Sequence, residues 1–262
     1  MHLIDTHAHL DDSRFHADRD AVLARAADAG VEAIVCVGIS AETSQTAVDL
    51  AARYAIVAAA VGIQPNSCAE AALGDWDRVV ALVDRPGVVA IGETGLDRYW
   101  DHTPFDVQED YFDRHLRLSQ TRDLPILIHC RDCDDDVLRM LRDATRRGSV
   151  RGLIHAFSGS AAMADECLAM GLYLSFAGPV SYRNKKFATL REVAARVPAD
   201  RLLIETDAPY LTPHPLRGKV ERNEPAHVAL TAAALAELRD CPVEQLAEQT
   251  TANARRLFRL GG

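Results

Sequence analysis

Short apolar segments without alternating polar residues recur along the whole chain. Runs such as residues 33–37, 56–61 and 88–91 consist almost entirely of aliphatic and small side chains. Continuous runs of this kind are typical of parallel strands that are buried on both faces. We therefore predict eight strands, at residues 3–4, 33–37, 56–61, 88–91, 126–128, 152–154, 172–175 and 202–204.

The segments between these strands have the apolar periodicity of amphipathic helices. Strand and helix alternate, which indicates right-handed βαβ units and a parallel sheet. Eight such units in about 250 residues match a closed (β/α)8 TIM barrel. An open doubly wound sheet is the alternative, but it would usually carry a glycine-rich phosphate loop after its first strand. The helices are predicted at residues 19–29, 41–54, 76–83, 105–121, 137–146, 161–170, 187–197 and about 226–238.

No linker, low-complexity segment or repeat divides the chain, so we predict a single domain over residues 1–262. Hydrophobic residues make up 48% of the sequence, which is enough for an extensive core. No apolar run reaches the roughly 18 residues needed to span a bilayer, and the N-terminus lacks the regions of a signal peptide. We expect a soluble, cytoplasmic protein with no membrane partner, and no obligate protein partner is evident.

The net charge and the cysteines exclude few classes of protein. A net charge of −9 argues against a generic nucleic-acid coat protein, but not against an enzyme that holds phosphate through metal ions. The six cysteines are scattered, so reduced thiols are expected. Cys130 and Cys133 form a C-x-x-C pair, for which a redox or zinc role is disfavoured because no second pair accompanies it.

The ends of the predicted strands carry an unusual number of metal-type ligands. His7 and His9 are two residues apart at the end of the first strand, so both imidazoles face one side. Active sites of such barrels lie at the C-terminal ends of the strands. Four imidazoles and two carboxylates on one rim would need other buried partners if no metal bound there. The predicted ligands are His7, His9, Glu93, His129, His155 and Asp207.

Six ligands are more than one tetrahedral site uses, and they suit two divalent cations bridged by a carboxylate. Glu93 is the natural bridge, because its strand is next to strand five and across the barrel from strand eight. His7, His9 and Asp207 would complete one site, and His129 and His155 the other. Zinc, manganese and magnesium all remain candidates.

These residues, in this order, resemble the TatD family of metal-dependent deoxyribonucleases, within the amidohydrolase-like metallohydrolases. The resemblance spans the chain, and its motifs are residues 5–11, 92–97, 125–132, 155–159, 205–211 and 222–225. It implies the same six ligands and hydrolysis of DNA through a metal-activated water, with 3′-to-5′ trimming of single-stranded ends. Three departures stand out: Gln64-Pro65-Asn66 replaces the usual His-Pro-His, Ala156 replaces a cysteine, and the loop from Arg217 to Arg222 has a longer spacing.

Two of the ligands are also candidates for the chemistry. Asp207 would accept a proton from the attacking water, as strand-eight aspartates do in related hydrolases, and Glu93 would hold both ions. Asp5 shares the face of His7 and is expected to orient an imidazole. Glu205 is expected to face the other side of its strand from the metals, as a structural or supporting residue that pairs with an arginine.

The predicted rim loops are basic and aromatic although the chain is acidic. Arg131 follows the ligand His129 by two residues and is the best candidate for a bidentate phosphate contact. A solvated basic face is the alternative for each cation, and core packing for each aromatic residue. The candidates for binding substrate are Arg131, Arg183, Lys185 and Arg222, with Tyr99 and Trp100 stacking on bases.

Two other functions use the same residues. A metallohydrolase of carboxylic esters, amides or lactones, including an aminoacyl-tRNA deacylase, would need the same metals. A purely binding role with a structural metal is less favoured, because structural zinc sites are usually closed and rich in cysteine.

Overall fold

Eight parallel strands form one sheet whose strand order follows the chain. The computed structural model describes residues 1–261, and the last residue of the predicted domain, Gly262, lies outside the described residues. The predicted (β/α)8 TIM barrel is confirmed. The strands are β1 (Leu3–Ala8), β2 (Val31–Val37), β3 (Val57–Val61), β4 (Val88–Asp97), β5 (Ile126–Arg131), β6 (Gly152–Ile154), β7 (Tyr173–Phe176) and β8 (Leu202–Ile204).

The barrel closes where β1 meets the end of β8. Ala8 forms a parallel bridge with Ala208. The main-chain N–H of Asp207 donates to the carbonyl of His7 at 2.9 Å, and that of His9 donates to the carbonyl of Ala208 at 2.7 Å. Closure therefore brings three predicted metal ligands from opposite ends of the sequence to one point.

Nine helices of the described residues surround the barrel. Eight of them lie within a few residues of the predicted helices, and α5 begins earlier than predicted because three aspartates form its first turn, where negative charge is favoured. The ninth was not predicted. The helices are α1 (Arg19–Asp28), α2 (Ala41–Arg53), α3 (Asp75–Leu82), α4 (Phe105–Arg122), α5 (Asp134–Arg147), α6 (Ala161–Ala169), α7 (Ala188–Arg196), α8 (Val228–Leu238) and α9 (Val243–Phe258).

Helix α9 closes the barrel at the N-terminal ends of the strands. Leu257 and Phe258 pack in one cluster with interior strand residues such as Ile4 and Leu127. The Asn253 amide donates to the carbonyls of Ala199 and Leu202 at 2.8 and 2.9 Å. The apolar floor leaves the opposite, C-terminal end of the barrel for polar side chains.

A second, larger apolar cluster fills the space between the strands and the outer helices. Among residues 1–261, no helix is both long and apolar enough to cross a membrane.

Candidate metal centre and substrate cleft

Six side chains, carried by five strands or by the residues directly after them, converge at the C-terminal mouth of the barrel. They form three overlapping groups in which the potential ligand atoms all lie within 4.8 Å of one another. These groups are His7 with His9 and Glu93, Glu93 with His129 and His155, and His7 with His155 and Asp207. They comprise all six predicted ligands.

The two carboxylate oxygens of Glu93 face different pairs of imidazoles. Oε1 lies 3.0 Å from Nδ1 of His129 and 3.1 Å from Nε2 of His155. Oε2 lies 3.5 Å from Nε2 of His7 and 3.8 Å from Nε2 of His9. Glu93 is thus the link between the two halves of the site.

Asp207 completes the His7 and His9 half. Its Oδ1 lies 3.4 Å from Nε2 of His9 and 3.7 Å from Nε2 of His7. The Asp207 side chain is 14% exposed, whereas that of Glu93 is only 2% exposed. Asp207 is therefore the carboxylate of the site that a substrate in the cleft can reach.

A glycine allows β4 to run close enough to β5 for this arrangement. Gly95 has φ of +131°, and a Cβ atom at this position would lie 2.0 Å from the carbonyl oxygen of His129. Only glycine fits such a contact without moving the neighbouring strand. The close approach places Glu93, two residues earlier, beside His129.

In two of the four imidazoles, those of His9 and His129, the outward nitrogen has a hydrogen-bond partner that selects the nitrogen facing the site. Nδ1–H of His9 donates to the carbonyl of Val37 at 3.0 Å, which leaves Nε2 as the inner atom. Nε2–H of His129 donates to Asp97 at 2.9 Å, which leaves Nδ1. Such outer contacts fix the tautomer and the orientation of metal-binding imidazoles.

The donor set fits a cation in each half. Two nitrogen ligands of one tetrahedral cation are about 3.3 Å apart. Nε2 of His7 and Nε2 of His9 are 3.3 Å apart, and Nδ1 of His129 and Nε2 of His155 are 3.1 Å apart. The spacing of both pairs is thus suited to holding a metal ion.

Both carboxylates are ionised in this environment. Burial alone would raise the pKa of Glu93, but the charge of His155 and the hydrogen bonds from His129 and His155 hold it well below its ordinary value. Burial also opposes ionisation of Asp207, yet its hydrogen bond with His9 and the nearby imidazoles lower its pKa. The site therefore offers two negative charges to a cation.

Asp5 hydrogen-bonds to Thr206 and to the main chain of His7 and not to an imidazole, so the expectation that it orients one is wrong. Its carboxyl accepts hydrogen bonds from the N–H and hydroxyl of Thr206 at 2.9 and 2.6 Å and from the N–H of His7 at 3.3 Å. Burial raises the pKa of Asp5 to about 8. Asp5 instead ties β1 to β8 beneath the ligands.

Glu205 faces the site, so the expectation that it points away and pairs with an arginine is also wrong. Oε1 of Glu205 accepts the N–H of Ala156 at 2.6 Å and lies 3.4 Å from Nδ1 of His155. Glu205 therefore lies beside His155 and not beside an arginine.

The comparisons with known proteins identify the family. A sequence model of the family described as TatD related DNase matches residues 4–259. The chain belongs to the TatD family. TatD relatives are metal-dependent hydrolases, and so is this chain.

Individual TatD relatives match over nearly their whole length. The chain is 43% identical over 258 residues to the uncharacterized metal-dependent hydrolase YabD of Bacillus subtilis, covering 98% of this chain and 99% of the relative. It is 37% identical to the 3′-5′ ssDNA/RNA exonuclease TatD of Citrobacter koseri, with 98% of each chain covered. The crystal structure of YjjV, a TatD homologue from Escherichia coli, superposes with a TM-score of 0.92 at 31% identity, covering 99% and 98%.

A cleft of about 690 Å³ opens above the candidate metal centre of this TatD-family chain. Two arginines line it, and each lies over a tyrosine ring. The guanidinium of Arg131 is 3.8 Å from the ring centroid of Tyr99, and that of Arg217 is 4.0 Å from that of Tyr182. His129, His155 and Asp207 also line this cleft, so substrate and metal ligands share one cavity.

Four predicted substrate-binding residues lie elsewhere. Arg222 donates to both oxygens of Asp18 at 2.7 and 2.5 Å, so its charge is already paired. Arg183 pairs with Glu237 at 2.7 Å and lines a separate groove. Lys185 and Trp100 are not among the residues that line the cleft, although Trp100 packs edge-on against Tyr99.

Three residues of the site were not among the predicted ones. Arg217 and Lys186 line the cleft where Arg222 and Lys185 were expected. Asp97 accepts the hydrogen bond of His129, which lowers the pKa of Asp97 to about 2 despite burial that would raise it. The signal for Asp97 was its place at the end of the same motif as Glu93.

Proposed function

We propose that this chain hydrolyses phosphodiester bonds of DNA, removing nucleotides 3′ to 5′ from single-stranded ends at a centre of two divalent cations. The observation that carries the proposal is Glu93, whose two oxygens each face a separate imidazole pair at the floor of a basic cleft. A single buried carboxylate in this position suits a bridge between two ions.

One ion would be held by His7, His9, Asp207 and Oε2 of Glu93, and the other by His129, His155 and Oε1 of Glu93. When bound, the cations would supply Lewis acidity and lower the pKa of a water molecule towards neutrality. Imidazole-rich sites favour zinc or manganese, whereas phosphoryl chemistry commonly uses magnesium.

Asp207 is the proton acceptor in this proposal. Its carboxylate borders the cleft and is ionised, so it can take a proton from the attacking water. The main chain of Asp207 is held against β1 by its hydrogen bond to His7, which fixes the position of the carboxylate. Glu93 is more deeply buried and serves to hold the ions.

The cations of the cleft favour a phosphate substrate over a neutral ester. Among residues 1–261, none of the ion pairs within 4.0 Å involves Arg131 or Arg217, so both guanidiniums are free to pair with phosphate oxygens. Tyr99 offers a face or edge to a base beside Arg131. The 3′-to-5′ polarity rests on relatives named as 3′-5′ exonucleases at 36–37% identity.

The test compares substrates on one preparation of metal-loaded protein. Single-stranded oligonucleotides labelled at the 3′ or the 5′ end are incubated in parallel with an aryl ester, a lactone and an aminoacyl-tRNA. We expect early release of the 3′ label as a mononucleotide, progressive shortening of the 5′-labelled strand, and little ester or lactone hydrolysis. Efficient ester, lactone or aminoacyl-tRNA hydrolysis with intact oligonucleotides would overturn the proposal.

A further inference from the structure

Two polar side chains from neighbouring strand ends meet behind the ligand His129. Oδ2 of Asp97 accepts Nε2–H of His129 at 2.9 Å. The same oxygen accepts an amide hydrogen of Asn66 at 3.0 Å. Asn66 follows β3, in the segment Gln64-Pro65-Asn66 where the chain departs from the expected His-Pro-His.

The rest of Asp97 is held by the main chain. Its Oδ1 accepts the N–H groups of Tyr99 and Trp100 at 2.8 and 3.0 Å. The buried Gln108 side chain accepts the N–H of Asp97 at 2.8 Å and donates to its carbonyl at 3.1 Å. Only Oδ2 thus remains for side chains, and among residues 1–261 it accepts hydrogen bonds from His129 and Asn66 alone.

The direction of each hydrogen bond follows from the carboxylate, which can only accept. Nε2 of His129 must therefore carry a proton, so Nδ1 is the nitrogen left for a cation, and it faces Glu93 at 3.0 Å. Asn66 must present its NH2 group to Asp97. Its amide oxygen is buried and has no hydrogen-bond partner within residues 1–261, so the bond to Asp97 is the contact that orients this amide.

We propose that Asp97 and Asn66 are positioning residues for the metal site formed by Glu93, His129 and His155. Asp97 selects Nδ1 of His129 as the ligand atom, and Asn66 holds the carboxylate oxygen that makes this selection. Asn66 stands where the expected motif has a histidine, and its amide still supplies an N–H donor to Asp97. This inference rests on the proposed two-ion function.

Asp97 also connects this site to the substrate cleft. The oxygen that accepts from Tyr99 and Trp100 belongs to the same carboxylate that orients His129. Tyr99 in turn lies beneath the guanidinium of Arg131. One carboxylate thus fixes both a metal ligand and the loop that would carry the base-stacking side chain.

Near-isosteric variants test the role of each partner. Asp97→Asn keeps an oxygen for the loop N–H groups but places an NH2 group against His129. Asn66→Leu removes the donor and keeps the volume, whereas Asn66→His supplies a different N–H donor. Gln64→Leu is the matched control, because Gln64 lies in the same segment and does not hydrogen-bond to Asp97.

The main readout is Zn²⁺ binding, measured by competition with a chromophoric chelator and by metal content. We expect Asp97→Asn to lower the affinity for one of the two Zn²⁺ equivalents about 100-fold. Asn66→Leu should lower the affinity for the same equivalent about tenfold, and both losses are within the range for outer-sphere partners. The affinity for the other equivalent should stay within about twofold of the wild type. Asn66→His and Gln64→Leu should bind both equivalents as the wild type does. Equal binding by Asp97→Asn and wild type, or equal loss in Asn66→Leu and Gln64→Leu, would overturn the inference.

A second readout does not depend on metal. In the metal-free protein, ¹⁵N NMR should show a proton on Nε2 of His129 in the wild type, and Asp97→Asn should remove that proton from Nε2. A wild-type protein that binds only one ion would overturn the two-ion centre, and the tautomer measurement would still decide the positioning role. An unchanged tautomer in Asp97→Asn would refute that role by itself.

Discussion

Replacing Glu93 by glutamine exchanges one carboxylate oxygen for an NH2 group and perturbs both halves of the candidate metal centre. The wild-type carboxylate presents Oε1 to His129 and His155, and Oε2 to His7 and His9. Glutamine carries one oxygen and one NH2 group, so it can serve only one of these pairs as a ligand. The other pair would face an N–H donor in place of an acceptor.

The expected magnitude follows from the lost ligand. Loss of an outer-sphere partner typically costs 10- to 100-fold in metal affinity, and loss of a direct ligand costs more. We therefore expect one equivalent of metal to bind at least about 100-fold more weakly, which corresponds to about 2.7 kcal/mol. The second equivalent should be retained with a smaller loss, because its glutamine oxygen is neutral.

Metal content after dialysis and competitive titration with Zn²⁺ measure this effect directly. Circular dichroism of the metal-free proteins controls for folding, since Glu93 makes no contribution to the apolar core. The reasoning would be refuted if folded Glu93→Gln protein bound two ions with wild-type affinity. Loss of activity without any loss of metal would also contradict the bridging role.

Three further predictions concern residues outside the ligand set. Arg131→Ala should lower kcat/KM on oligonucleotides about tenfold or more. Arg222→Ala should leave kcat/KM within about twofold, because the Arg222 guanidinium is paired with Asp18. Burial lowers the pKa of His115 to about 4 from 6.5, so the unfolded state binds the extra proton between these values and stability is lost as pH falls through this window. The free energy of unfolding of the wild type should fall by about 3 kcal/mol more between pH 7 and pH 4 than that of His115→Gln. Urea unfolding of both proteins at the two pH values measures this difference. Phe258→Ala should cost about 3–5 kcal/mol in the same assay, because the side chain is 2% exposed at the floor of the barrel.

Each of these predictions has a contradicting result. Equal kcat/KM losses in the two arginine variants would mean that the cleft is not the phosphate site. An identical pH dependence of stability in wild type and His115→Gln would mean that His115 binds a proton as readily in the folded protein as in the unfolded chain. A loss below about 1 kcal/mol for Phe258→Ala would show that α9 is not part of the core.

The strand positions and the convergence of the candidate ligands could be predicted because both depend on local pattern. Parallel barrel strands are apolar on both faces, and the ligands directly follow those apolar runs. The last six residues of β4 were missed because Gly92 to Asp97 is rich in glycine and polar residues. Helix α9 was missed for a similar reason, since its buried face includes Thr250, Thr251 and Asn253.

The errors concern contacts between residues distant in sequence. Arg222 and its partner Asp18 are 204 residues apart, and nothing local marks that pairing. Asn66 and Asp97 are 31 residues apart and meet only because β3 and β4 are neighbours in the barrel. The orientation of Glu205 likewise depends on a distant residue, because its Oε1 accepts the N–H of Ala156, 49 residues away.

The most direct test of the central claim is the product ladder of a 5′-labelled single strand digested by wild type and by Asp207→Asn, purified side by side and loaded with the same metal. We expect the wild type to shorten the strand from its 3′ end one nucleotide at a time. We also expect Asp207→Asn, which lacks the proton acceptor, to be slower by about 10²–10⁴-fold at saturating metal. An equal ladder in both proteins, or products of internal cleavage only, would contradict this claim.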